Sequence, residues 1–147
     1  MGRTTIHLFL NRLLANYFTV YVKLFRYQHY IKGAHFQPYQ IFFTSLQKEL
    51  DDTIHRLASY ITSINGRPFC TMEKFLQEKT IEEATADDEL HEMFAQLVHD
   101  FTKMKREIIH HSLKEVDECK DMMTKHFLMD HLIQLQHHIS TCLTYEK

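Results

Sequence analysis

Between residues 4 and 32 the apolar side chains Ile6, Leu10, Leu13, Tyr17, Val20, Leu24 and Ile31 return at steps of three, four or seven. That period puts them on one face of a helix. The spacing predicts one long amphipathic helix from about Thr4 to Lys32, stopped by Gly33. A second helix is expected from Phe36, with Pro38 tolerated in its first turn. Its apolar stripe is Phe43, Leu46, Leu50, Ile54, Leu57, Ile61 and Ile64, and Asn65-Gly66 ends it. The other face of this helix carries Gln40, Thr44, Lys48, Asp51, His55 and Ser59, a polar stripe along its length.

Thr71 is placed to cap a short helix over Met72–Lys79, inside a long connection. Thr85-Ala86-Asp87-Asp88 is the next start signal, with acidic residues where the helix dipole favours them. From there Leu90, Phe94, Leu97, Phe101, Met104 and Ile108 carry a third long helix to about Glu115. After the charged run Glu115–Lys120, Leu128, Leu132, Leu135, Ile139 and Leu143 mark a fourth. Four long amphipathic helices with one long crossover, in a single domain spanning residues 1–147, predict an all-α four-helix bundle.

Composition narrows this picture. Only three Gly and two Pro occur in 147 residues, so the frequent turns of a sandwich or barrel are missing. The formal charge is −2 with no concentrated basic patch, and the chain carries no Lys-rich terminal tail, so direct DNA binding is not expected. The run Ile6–Leu10 is too short to span a bilayer, and neither a leader pattern nor a membrane partner is expected. Cys70, Cys119 and Cys142 lack metal-type spacing and read as packing residues of a cytoplasmic protein. The eighteen Phe and Tyr residues fall mostly on or beside the apolar stripes, as core does.

Twelve His side chains raise the question of metal chemistry. A di-metal site inside one bundle uses two Glu-x-x-His pairs and a Glu from each remaining helix. Glu107 with His110 has that spacing, and Asp52 with His55 and Asp88 with His91 are Asp versions, but the first and fourth helices supply no inward Glu. Asp51 and His55 form an i, i+4 pair that suits either a transition metal across a subunit axis or a plain hydrogen bond. The adjacent pairs His110-His111 and His137-His138 must splay apart on a helix and read as surface or interface histidines rather than chelators.

Particular runs narrow the fold further. Leu10-Asn11-Arg12-Leu13-Leu14-Ala15-Asn16, then Tyr30-Ile31-Lys32-Gly33 with Phe36, and Gly66-x-Pro68-x-x-Thr71-x-Glu73-x-x-Leu76 followed by Thr80-Ile81-Glu82-Glu83, resemble the Dps-type mini-ferritins, the DNA-binding proteins from starved cells. The resemblance implies a ferritin-like bundle in a hollow shell of twelve identical subunits, serving iron storage and stress protection. A related mini-ferritin subunit is a further expected partner. It also implies a di-iron oxidising centre between subunits, built from His and carboxylate side chains of the first two helices.

At the positions of that centre this chain has Gln28, Gln40, Thr44, His55 and Ser59. Of these only His55 is a good iron ligand, since a neutral amide carbonyl binds iron weakly. The resemblance therefore implies a ferroxidase centre that is lost or rebuilt, and no catalytic residue is assigned. A rebuilt metal site would draw on His55, Asp51, Asp52 and His29, although a one-residue shift turns a helical side chain by about 100° and points His29 away from the place of Gln28. The acidic entry pores that the resemblance implies would use Asp117, Glu118 and Asp121, among Lys120, Lys125 and His126.

Overall fold

The computed structural model describes residues 2–33, 35–84 and 89–146. Helix α1 spans Gly2–Tyr30 and α2 spans Gln37–Ser63. The short α3 covers Met72–Glu78, and α4 runs from Leu90 to Glu107. A π turn at Ile108–Ser112 joins α4 to α5, Leu113–Glu118, and α6 occupies Met122–Glu146. Helix α1 packs along α2 and α4 along α6, while α3 crosses α1. No strand occurs among the described residues.

The ends of α2 follow from local chemistry. Pro38 sits in its first turn, where no amide donor is required. At the other end Asn65 takes a left-handed φ of +66°, the Asn65 amide donates to the Thr62 carbonyl and the Gly66 amide to the Ile61 carbonyl. These two bonds satisfy carbonyls that the helix would otherwise leave open. Gly66 is required by space as well, because a Cβ there would lie 2.8 Å from Ile61 Cγ2 and 3.1 Å from His7 Cδ2.

The predicted stop at Gly33 is displaced. Helix α1 ends at Tyr30, and Gly33 lies beyond it at φ +120°, inside the reversal rather than at the helix cap. The predicted start at Thr85–Asp88 lies outside the described residues. Thr71 does cap α3, its hydroxyl accepting from the Lys74 amide at 3.2 Å.

The third long helix is not one uninterrupted α-helix, since a wider, more slowly wound π turn occupies Ile108–Ser112. At its far end Lys120 holds a left-handed φ of +56°, with the Asp121 amide donating to Val116 O at 2.9 Å. Asp121 then caps α6, accepting from the Thr124 amide at 3.0 Å and the Thr124 hydroxyl at 2.7 Å.

The core is aliphatic and aromatic along α1, α2 and α4, as the stripes predict. On α6 the buried line differs from the expected one. Leu128, Leu135 and Ile139 are buried as expected, but Thr124, His131, His138 and Cys142 are buried beside them, whereas Leu143 is exposed. Three polar residues thus occupy core positions, two of them with firm partners. Thr124 Oγ1 lies 2.7 Å from the Tyr60 hydroxyl, and His131 Nδ1 lies 2.8 Å from the Tyr17 hydroxyl. His138, read as a surface or interface residue, is only 4% exposed within its own chain and packs against the Phe101 ring. Of the three cysteines only Cys142 packs in the core, and Cys70 and Cys119 are exposed.

One ion pair crosses the interior. Lys23 Nζ of α1 meets Asp100 Oδ2 of α4 at 2.7 Å, with side chains 4% and 3% exposed. Burial pushes the Asp100 carboxyl above the ordinary carboxylate range, and the Lys23 ammonium opposes that shift.

Candidate metal centre

The positions that the resemblance assigns to the di-iron centre separate into two groups. The first lies where the end of α1 faces the start of α2, and it is a closed amide and hydroxyl network. Gln28 Nε2 donates to Gln47 Oε1 at 2.7 Å and to the Leu24 carbonyl at 3.1 Å. Gln28 Oε1 accepts from Thr44 Oγ1 at 3.0 Å, and Gln40 Nε2 donates to the Gln28 carbonyl at 3.0 Å. Gln47, which was not singled out from the sequence, completes it by donating to the Tyr21 carbonyl at 3.3 Å.

The second group lies further along α2 on its outer face. His55 is 77% exposed on its side chain, and its Nε2 stands 3.7 Å from Asp51 Oδ1. Asp52 and Ser59 are also exposed. His29 neighbours Gln28 in sequence, but its ring lies against Phe25 with centroids 4.7 Å apart. Within one chain the structure therefore brings together Gln28, Gln40 and Thr44 and pairs Asp51 with His55, while His29 lines the surface pocket beside Gln28, Gln40 and Thr44 without joining their hydrogen bonds. Among the described residues no three His, Cys, Asp or Glu side chains gather in a way that could hold a metal ion.

The donor chemistry of the first group does not fit iron. Its members are neutral, and two of its three side-chain carbonyls, those of Gln28 and Gln47, already accept hydrogen bonds. Drawing such a network onto a hard cation breaks bonds that the half-buried groups cannot replace from water without loss. Asp51 and His55 are ligand types that do suit a transition metal, but in one chain they supply two donors.

The remaining sequence candidates are placed as follows. Asp121 is spent as the cap of α6, and Asp117 pairs with Lys125 at 2.8 Å, so of the three acidic pore candidates only Glu118 has no bond of this kind. Asp52 and His55 are exposed on α2. His91 is exposed on α4, while Asp88 lies outside the described residues. Glu107 faces Asn16 and Thr80, and His110 is exposed in the π turn.

The comparisons with known proteins agree with this architecture. The family model described as "Ferritin-like domain" matches residues 8–145. Over 119 residues, 81% of each chain, the sequence is 30% identical to general stress protein 20U of Bacillus subtilis (strain 168). It is 34% identical over 99 residues to the DNA protection during starvation protein of Brevibacillus brevis, covering 67% of this chain and 66% of that one. The crystal structure of a Dps protein from Bacillus brevis superposes with a TM-score of 0.93 at 28% identity, covering 99% of this chain and 97% of the other. Dps of Vibrio cholerae O1, whose structure is described as a member of a broad superfamily of ferritin-like diiron-carboxylate proteins, shares the fold with a TM-score of 0.92 at 23% identity, covering 99% and 91%. The chain belongs to the ferritin-like family, as a Dps-type mini-ferritin.

Proposed function

We propose that this chain is a Dps-like shell protein of the iron-storage and stress class in which the family's oxidising centre has been given up, leaving mainly a structural or metal-binding subunit. It assembles with eleven like copies, or beside an active relative, in a symmetric shell. The observation that carries this reading is the closed network of Gln28, Gln40, Thr44 and Gln47. Neutral amides that bond one another hold the end of α1 against α2 without a cation, so the position contributes to packing with no iron bound. The names of the relatives point to stress and starvation, which fits a protective role; direct DNA binding is not part of the proposal, because the charge of −2 offers no excess of phosphate contacts.

A second reading is favoured by one observation, the Asp51–His55 pair on the exposed face of α2. In that reading an active iron-oxidising site forms between subunits from His55, Asp51, Asp52 and His29. One experiment separates the two. Fe(II) is added anaerobically to the assembled protein, hydrogen peroxide follows, and Fe(III) formation is recorded with the His55→Ala variant alongside. The first reading expects the rate in buffer alone for both proteins. Fast oxidation that His55→Ala abolishes would sink it and establish the second.

A further inference from the structure

The π turn at Ile108–Ser112 builds a second, separate arrangement of ligand groups. A small pocket of about 200 Å3 lies between α1 and this turn, and Glu107, His111 and Ser112 all line it, beside Asn16, Thr80 and Arg12. In an α-helix the natural partner of Glu107 for a metal is His110, three residues on. A π turn winds less per residue, so the side chain four residues on stays over Glu107 and the one three on falls behind. It is His111, not His110, that lines the pocket with Glu107.

The carboxylate is held in advance. Glu107 Oε1 accepts from Thr80 Oγ1 at 2.7 Å and from Asn16 Nδ2 at 3.3 Å. Asn16 is itself fixed, because its Oδ1 accepts from the Thr80 amide at 2.8 Å and the Ile81 amide at 3.2 Å. These bonds use one carboxylate oxygen and leave Oε2 for a ligand. Outer hydrogen bonds of this kind orient a metal-binding carboxylate. Ser112, 8% exposed, is a third oxygen-bearing side chain on the wall of the same pocket. The one cationic side chain on the wall, Arg12, is turned to Glu78, with Nε 3.1 Å from Oε2.

We propose that Glu107 Oε2 and the His111 imidazole bind a divalent first-row transition metal in this pocket, with the Ser112 hydroxyl and water completing the shell. A carboxylate and an imidazole are the mixed oxygen and nitrogen set that such ions take. One carboxylate and one neutral imidazole, completed by water, give a site of modest strength. The site shares no residue with positions 28, 40, 44, 55 and 59, so it stands or falls apart from the proposed loss of iron oxidation.

The test is Zn(II) titration of the assembled protein by calorimetry, in a His55→Ala background that removes the α2 pair. One ion per chain is expected. His111→Ala removes an exposed ring, and Glu107→Gln keeps an oxygen for Thr80 and Asn16, so both variants should fold. Each is expected to weaken binding at least tenfold, whereas His110→Ala leaves it unchanged. Zn(II) anomalous scattering from a soaked crystal should peak between Glu107 and His111. Binding that survives both His111→Ala and Glu107→Gln, an equal loss in His110→Ala, or no Zn(II) binding at millimolar concentration overturns the proposal.

Discussion

Two buried imidazoles on α6 make the fold sensitive to acid. His131 and His138 are seven residues apart on the same face of the helix, and each sits in the core. Burial lowers both to about 4, assisted at His131 by the Arg56 guanidinium and at His138 by His137. In the unfolded chain an imidazole titrates near 6.5. Between those values the unfolded state binds more protons than the native one, so stability falls as pH falls. The contribution is complete above pH 6.5 and lost progressively toward pH 4.

A difference of about 2.5 units at about 1.4 kcal/mol per unit gives roughly 3 kcal/mol for each group. Two of them approach the whole stability of an ordinary domain, which is about 5–15 kcal/mol. Chemical unfolding at pH 7.5, 6.0, 5.0 and 4.5 should show stability dropping by about 2–3 kcal/mol per pH unit below 6.5. His131→Gln, which keeps a polar partner for the Tyr17 hydroxyl, should halve that slope while lowering stability at neutral pH by about 1–2 kcal/mol. A slope that is flat in the native protein, or unchanged by His131→Gln, would refute the assignment of acid lability to these imidazoles.

Two further outcomes are expected. Lys23→Met or Asp100→Leu alone leaves one charge of a fully buried pair uncompensated and should cost about 3–5 kcal/mol, whereas the double substitution should recover most of it; a denaturation cycle measures the coupling. Lys120→Gly relieves a left-handed residue at a helix end and should raise stability by about 0.5–1 kcal/mol, read as an increase in Tm.

How much of this was legible in the sequence depends on the kind of contact. Gln28, Gln40, Thr44, His55 and Ser59 were picked out by the resemblance, and the side-chain types alone say that only His55 among them is a good iron ligand. That the first three close on one another and recruit Gln47 was not readable, because hydrogen bonds between α1 and α2 depend on how the two helices face each other. Gly66 was readable as a stop, yet its second role, making room for Ile61 and His7, belongs to packing. His138 was not readable as core, because a histidine counts as polar in any pattern, while in the bundle its ring fits against Phe101.

The sequence by itself determined the four amphipathic helices and the short capped one between the second and third. Periodicity and caps are local properties, written within a few residues of where they act. Only the tertiary structure decided that α6 buries Thr124, His131 and His138, that Lys23 finds Asp100, and that Glu107 and His111 line one pocket at a π turn. Each of those depends on partners from distant helices, or on a change of winding, that determine which way a side chain faces. A repeat of three and four cannot specify either.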